Sequence, residues 1–167
     1  MSSTTHLSRV VRLAVMAGLA VLVSVRPAAA DITAFLGVTP TPENRIVRGL
    51  SGGLGLLIIG FEFEYANATE DEEALLPGLR TYSGNVLLQT PVEVSGVQLY
   101  GTAGVGLYRE RLLDASETST AVNLGGGAKI RLLGPLRLRL DYRVFRLQGD
   151  PINQNYQRFY AGANLAF

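Results

Sequence analysis

Charged residues occupy every second position in two short stretches, a spacing that could assemble ion pairs on one side of an extended chain. The first stretch is FEFEY, residues 61–65, and the second is LRLRLDYRV, residues 136–144. Alternate side chains of a β-strand point to the same face, so each stretch has one charged and one apolar face. Charges that leave water must be paired, because an isolated buried charge is costly. The spacing therefore predicts carboxylate–guanidinium pairs, which either pin strands together or, when they open, let ions pass.

A second group of charges falls on the apolar phase of the same alternation, close to the longer polar connections. Its members are Arg48, Arg80, Arg109, Arg111 and Arg146. A guanidinium group binds a phosphate group through two parallel hydrogen bonds, so these positions predict a phosphate-binding rim. The alternative is a set of charges that extend into water along their own aliphatic stems.

Residue types that usually carry catalysis or bind metals are scarce. The only histidine is His6, and the chain has no cysteine. No serine lies in a context that suggests activation by a neighbouring base. The sequence therefore predicts no catalytic residue, no metal site and no cofactor. TEDEEA, residues 69–74, could offer carboxylates to Ca²⁺ or Mg²⁺, but it lacks the ligand spacing of a calcium loop, and a solvated loop tip is favoured.

The first 30 residues have the form of a secretory signal peptide, with a basic start, an apolar run over residues 13–25 and an AAA sequence before Asp31. An uncleaved anchor is disfavoured because a spanning helix needs about 20 apolar residues. We predict cleavage after Ala30, which leaves residues 31–167 as one exported domain. Loss of Arg9, Arg12 and Arg26 lowers the 15 basic residues to 12 against 14 acidic ones, a net charge of −2. That balance predicts no nucleic-acid partner.

The exported domain alternates apolar and polar residues at period two, which indicates strands and not helices. Eight strands are predicted, over residues 32–38, 46–56, 59–65, 82–89, 97–108, 122–131, 136–144 and 158–167. Longer polar connections (TPENR, NATEDEEALLPG, LDASETS and QGDPINQN) alternate with the short connections LLI, TPVEVSG and LLGP. This rhythm is typical of an all-β, antiparallel, up-and-down barrel.

The side on which the apolar face lies decides between two classes of barrel. A soluble barrel of the lipocalin kind has apolar residues inside, whereas a membrane barrel has them outside. Here the small glycine, serine, asparagine and threonine residues lie on the polar face, as a crowded interior requires. We therefore predict an eight-stranded transmembrane β-barrel, with Tyr65, Tyr82, Tyr108, Phe145 and Tyr156 as an aromatic girdle at its outer edge.

The last predicted strand, RFYAGANLAF, keeps its alternation of residue types up to the final residue, which is an aromatic. In this strand and in the whole pattern, the chain resembles the small outer-membrane β-barrels of the OmpA and OmpX type. The resemblance implies a monomer in the outer membrane of a Gram-negative cell, delivered by Sec export and periplasmic chaperones, with both termini in the periplasm. It also implies that the β-barrel assembly machinery reads the last strand through Phe159, Tyr160, Leu165 and Phe167. Barrel enzymes of similar fold rely on histidine, which the exported domain lacks.

In such a ring the third and seventh strands face each other, so their charges meet in the lumen. The predicted lumen charge cluster comprises Glu62, Glu64, Glu110, Lys129, Arg131, Arg137, Arg139, Asp141, Arg143 and Arg158. A narrow barrel is normally filled by its side chains, which favours a closed polar core over a gate. The expected function is structural, surface-related or lipopolysaccharide-binding and not enzymatic. A narrow channel gated by luminal Glu–Arg pairs and a soluble lipocalin-like carrier stay open as alternatives.

Overall fold

The computed structural model describes residues 29–41, 44–70, 76–112 and 115–167. These residues form eight strands: β1 (Ala29–Thr39), β2 (Arg45–Leu56), β3 (Ile59–Ala68), β4 (Gly78–Gln89), β5 (Val97–Leu112), β6 (Ala115–Leu133), β7 (Leu136–Leu147) and β8 (Asn155–Ala166). In this part of the chain, no helix has both the length and the apolar character needed to cross a membrane.

The strands form one closed antiparallel ring in chain order, which confirms the predicted eight-stranded barrel. Residues 31–38 of β1 pair with residues 159–166 of β8 and close it. We call the end that carries the β1–β2, β3–β4, β5–β6 and β7–β8 connections the loop end, and the opposite end, where β1 begins and β8 ends, the terminal end. Residues 1–28 lie outside the described part, so the signal peptide and its cleavage stay predictions. The closing ladder begins at Asp31 and so survives cleavage after Ala30.

The β5–β6 hairpin differs from its prediction. LDASETS was expected to be a loop, but residues 116–119 continue β6 and pair with residues 108–111 of β5. Serine and threonine are compatible with a strand, and main-chain pairing does not require the apolar alternation from which the strand end was predicted. The two longest strands therefore extend this hairpin at the loop end.

Large apolar side chains cover the outer wall of the barrel. Leu36 is 65% exposed, Phe63 60% and Leu124 68%, and most of the polar side chains of the strands point inward. Exposed apolar surface on a soluble monomer rarely exceeds a few hundred Å² in one patch. This wall therefore suits contact with lipid acyl chains, as the sequence predicted.

The interior is polar in its middle and apolar towards the loop end. Phe35 stacks on Tyr160 with ring centroids 4.0 Å apart, inside a cluster that also contains Val47, Leu79 and Phe145. This arrangement corrects part of the predicted aromatic girdle. Tyr108, Phe145 and Tyr156 are buried inside the barrel, and only Tyr65 and Tyr82 face outward. The reason is parity, since Phe145 alternates in phase with inward Arg143, and Tyr156 with inward Arg158.

Candidate functional site

A network of six charged side chains fills the middle of the barrel. Its members, which we call the central network, are Arg139, Arg143 and Arg158 with Glu62, Glu64 and Asp141. Three guanidinium groups and three carboxylates give it no net charge. Arg139 and Arg143 are completely buried, at 0% exposure. Charges this deep are tolerated only when paired and hydrogen-bonded, and every member of the network has an ion pair and at least one hydrogen bond.

Arg139 is the most heavily bonded member of the central network. Its Nη1 and Nη2 both donate to the carboxylate of Glu62, and its Nη2 lies 3.3 Å from an oxygen of Asp141. Its Nε donates to the Tyr100 hydroxyl over 2.7 Å, and that hydroxyl donates in turn to Asp141. The guanidinium group is therefore held in one plane by two carboxylates and a phenol.

Arg143 and Arg158 extend the network towards the loop end. Arg143 donates to Asp141 through Nε over 2.9 Å and to Glu62 through Nη2 over 2.8 Å. Its Nη1 lies 3.2 Å from Glu64, an ion-pair contact without hydrogen-bond geometry. Glu64 also accepts from Arg158, whose guanidinium carbon lies 4.5 Å from the ring centroid of Phe145. A cation stacked on an aromatic ring joins the polar middle to the apolar end.

The fold brings these residues together by strand order and by glycine. β3 and β7 lie opposite each other in the ring, so Glu62 and Glu64 meet the arginines across the lumen. On β6, a Cβ at Gly125 would clash with the Tyr142 carbonyl oxygen and lie 2.7 Å from Cγ of Arg143, and one at Gly127 would clash with the Leu140 carbonyl oxygen and lie 2.8 Å from Cζ of Tyr100. The GGG sequence therefore leaves the space that these two long side chains need to cross the barrel.

We expect Gly125→Ala to destabilise the barrel by about 1–3 kcal/mol, because the added methyl group would overpack both the Tyr142 backbone and the Arg143 side chain. The urea midpoint of the detergent-folded protein measures this effect. Gly84→Ala is the matched control, since a Cβ there meets nothing within 4 Å. Equal midpoints for the two variants would contradict a space-making role for Gly125.

At the terminal end the predicted lumen residues separate into two groups. Lys129 is buried and pairs with Asp31 below the central network. Arg131 and Arg137 lie at the mouth instead, where both contact Glu93 of the β4–β5 connection. The Arg131 side chain is 58% exposed, which corrects its placement inside the lumen. The paired strands run on to the edge of the barrel there, so inward parity no longer means burial.

A cavity of about 870 Å³ opens at this terminal mouth. It extends inward as far as Glu62 and Lys129, with Glu93, Arg131 and Arg137 among its lining residues. Side chains of the central network fill the lumen beyond it, and the interior cavity on the loop side measures only about 20 Å³. The lumen is therefore open to small molecules from one end and closed in the middle.

Glu110 is buried near the loop end, apart from the central network. It accepts hydrogen bonds from the Tyr156 hydroxyl over 2.8 Å and from the Ile152 backbone amide over 2.9 Å. Glu117 similarly accepts from the Asp150 amide over 2.8 Å. These carboxylates fix the β7–β8 connection over the opening, a structural task that the sequence did not reveal.

The sequence missed several interior residues for identifiable reasons. Asp31 lies at the predicted cleavage site, Tyr100 carries no charge, and Glu93 lies in the TPVEVSG connection, so none of them belongs to the predicted charge cluster. Arg45 was assigned to a loop, but it is buried at the start of β2 and donates to the Pro77 carbonyl oxygen. Its inward direction could have been found by extending the parity of Ser51 back along the strand.

All five predicted rim arginines are exposed on the outer wall near the loop end: Arg48, Arg80, Arg109, Arg111 and Arg146. Arg111 has a carboxylate neighbour, Glu70, at 4.0 Å. The other four make no ion pair with any residue that the structure describes. Arg48, Asn67, Arg80 and Arg109 are consecutive cross-strand neighbours on β2 to β5, so three of the charges share one polar row.

The predicted assembly residues of β8 do not share one face. Phe159, Leu165 and Phe167 are exposed on the outer wall, whereas Tyr160 is buried against Phe35. The Phe167 amide donates to the Ala30 carbonyl oxygen over 2.8 Å, so the chain remains paired with β1 up to its final residue.

No group of three or more histidine, cysteine or acidic side chains that could hold a metal ion occurs among the residues described. Residues 71–74 of the acidic TEDEEA segment lie outside that set, so divalent-cation binding there stays untested.

No family model and no curated protein sequence matches this chain. Among solved structures, it is similar to a major outer membrane protein from Thermus thermophilus, with a TM-score of 0.66, 14% identity, and coverage of 85% of this chain and 100% of that one. Neisserial surface protein A gives a TM-score of 0.64 at 14% identity over 86% of this chain and 97% of that one.

The N-terminal barrel domain of Pseudomonas aeruginosa OprF gives a TM-score of 0.62 at 14% identity over 83% of this chain and 97% of that one. The outer membrane enzyme PagL, at a TM-score of 0.52 and 12% identity over 81% of this chain and 98% of that one, has a similar fold, so the fold alone does not decide between catalytic and other roles. Likeness at these identities concerns architecture, and together with the closed ring and its apolar wall it shows that the chain has the fold of the small eight-stranded outer-membrane β-barrels.

Proposed function

We propose that this protein is a non-enzymatic, monomeric barrel of the outer membrane, structural in its interior and lipopolysaccharide-binding at its rim. The observation that carries the proposal is the set of exposed arginines on an otherwise apolar wall, four of them without an ion pair in the described structure. An arginine facing lipid at mid-membrane costs about 2–4 kcal/mol, but only about 0–1 kcal/mol at the interface. Four guanidinium groups that no described carboxylate neutralises therefore belong at headgroup level, where lipid phosphates supply negative charge.

The orientation of the barrel is part of this proposal. β1 begins and β8 ends opposite the rim, so a periplasmic location for that end of the barrel puts the arginines in the outer leaflet. Sec export and periplasmic chaperones would deliver the chain. The β-barrel assembly machinery would then read β8, with Phe159, Leu165 and Phe167 presented on its outer face and Tyr160 acting from the inside.

Replacing all five rim arginines with glutamine is expected to abolish co-purification of lipopolysaccharide with the barrel extracted from outer membranes. Glutamine keeps much of the length of the side chain but offers no charge and no fork of donors. Quantifying lipid A phosphate per mole of folded protein measures the effect. Retention of lipopolysaccharide at the wild-type ratio by a folded five-site variant would contradict lipopolysaccharide binding by the rim arginines.

A narrow channel is the second candidate, favoured by the terminal cavity of about 870 Å³ that reaches Glu62. The central network argues against it, because ion flow would have to separate Arg139 and Arg143 from buried carboxylates. We expect planar-bilayer recordings to give no steady conductance for the wild type or for Glu62→Ala. Stable single-channel steps in the wild type would contradict a closed core and support a gated channel.

The absence of catalysis is proposed from the chemistry of the interior. The only histidine is His6, inside the predicted signal peptide. The carboxylates of Glu62, Glu64 and Asp141 are each bound to guanidinium groups, which leaves none of the three free to act as a general base.

A further inference from the structure

A concave region of the outer wall lies directly below two of the rim arginines. This groove of about 830 Å³ runs from β7 across β8, β1, β2 and β3 to β4. Its volume lies within the range of about 300–1,000 Å³ that is typical of ligand pockets. Both polar and apolar residues line it, and they are separated along its length.

The lower part of the groove is apolar, and small side chains form its floor. Ala34 and Ala163 are direct cross-strand partners, and Ala161 follows on the same face of β8. Leu36, Leu50 and Leu138 line the groove around these alanines. Small side chains on the floor with leucines around them give an apolar depression that suits an acyl chain.

The upper part of the groove carries the charge. Arg48 and Arg80 both line it, and Asn67 lies between them as the cross-strand neighbour of each. Tyr65, two residues earlier on β3, lines the groove beside them. Two guanidinium groups and an amide in one row can donate several hydrogen bonds to a single phosphate group. The other rim arginines do not line this groove.

We propose that this groove is a defined seat for one phosphorylated lipid of the outer leaflet, with a phosphate on Arg48 and Arg80 and an acyl chain over Ala34, Ala161 and Ala163. The inference rests on the proposed rim function and deepens it, because it replaces a diffuse ring of charge with one lipid in one place. The remaining rim arginines then act as general headgroup contacts.

Charge selects a lipid over a second copy of the chain as the occupant. Two copies in one membrane share their orientation, so a symmetric contact through this face would bring Arg48 and Arg80 of one copy against the same residues of the other. Like charges at the edge of a low-dielectric wall repel each other. An anionic headgroup neutralises the same pair, and its own acyl chain covers the apolar floor.

The test is native mass spectrometry of the folded full chain in detergent, titrated with diphosphoryl lipid A and, separately, with phosphatidylcholine. The wild type is expected to bind one lipid A in preference to phosphatidylcholine. Arg48→Gln/Arg80→Gln is expected to weaken binding of lipid A by about tenfold or more, through loss of two charge-assisted contacts. Ala34→Leu/Ala163→Leu fills the floor, leaves the arginines in place and is expected to weaken it similarly.

Two control variants make the test specific to the groove. Arg111→Gln/Arg146→Gln removes two rim charges that do not line it, and Ala103→Leu enlarges an exposed alanine on β5, between Val86 and Leu124. Arg111→Gln/Arg146→Gln is expected to weaken binding of lipid A less than Arg48→Gln/Arg80→Gln does, and Ala103→Leu is expected to bind it within about twofold of the wild type. Wild-type binding by Ala34→Leu/Ala163→Leu would contradict a lipid site in the groove. Equal losses of affinity in the two arginine double variants would do the same. Either result would leave lipopolysaccharide binding by the rim arginines as proposed. The variant with all five rim arginines replaced by glutamine tests the rim separately. If that variant still binds lipid A, the proposed function itself is wrong.

Discussion

Arg139→Ala is expected to lower the free energy of unfolding of the barrel by about 3–5 kcal/mol, the usual cost of breaking a buried ion pair on one side. The guanidinium group of Arg139 is completely buried and contacts Glu62 and Asp141. Removing it leaves three carboxylates against two guanidinium groups, all of them buried. The chain has no tryptophan, so the folded fraction in urea is best measured by the heat-modifiable band on a denaturing gel.

The control for this prediction separates the effect of breaking a buried ion pair from the effect of removing any arginine. Arg146→Ala removes an exposed guanidinium group on the same strand and is expected to change stability by no more than about 0.5 kcal/mol. Glu62→Ala/Arg139→Ala restores charge balance, so its cost should fall below the sum of the two single variants by about 0.5–3 kcal/mol. If Arg139→Ala proves no less stable than Arg146→Ala, the central network does not hold the barrel closed.

Phe63→Arg is expected to destabilise the barrel by about 2–4 kcal/mol when it is folded in lipid, because the change places a charge on the middle of the outer wall. Phe63 lies midway along β3 and is 60% exposed. At an exposed position in water the same substitution would change stability by only about 0.5 kcal/mol. Equilibrium unfolding in urea, in bilayers of defined composition, gives the difference directly.

Phe63→Leu is the matched control at that site. It keeps an apolar side chain on the wall and is expected to cost less than about 1.5 kcal/mol. If the arginine and leucine variants prove equally stable, Phe63 does not contact lipid, and the face assignment for the entire outer wall fails with it.

The alternation of the sequence was sufficient to predict the strands but not the residues at which they end. LRLRLDYRV and the period-two pattern of the other segments gave the number, order and facing of the strands, because parity is a property of each residue in its own strand. Main-chain pairing set the ends instead, so the β5–β6 hairpin continued through residues 116–119, which composition had assigned to a loop.

The interior was predictable in kind and not in detail. Parity placed Glu62 and Arg139 in the lumen, but the partners of each charge depend on distances across the ring that no local pattern contains. Tyr100 joins the network because Gly127 leaves room for its ring, a relation between two strands. Arg131 shows the opposite failure, because inward parity at the barrel edge leads to an exposed mouth.

The most direct test of the lipid-facing barrel is whether folding requires an amphiphile. The chain from Asp31 onward is refolded with and without detergent micelles, and unboiled and boiled samples are compared on a denaturing gel. We predict that the unboiled protein migrates differently from the boiled one, and that it does so only when detergent was present. A β-rich, monomeric protein that folds in buffer alone would contradict this prediction, because the apolar wall would then have to face the inside of a soluble barrel.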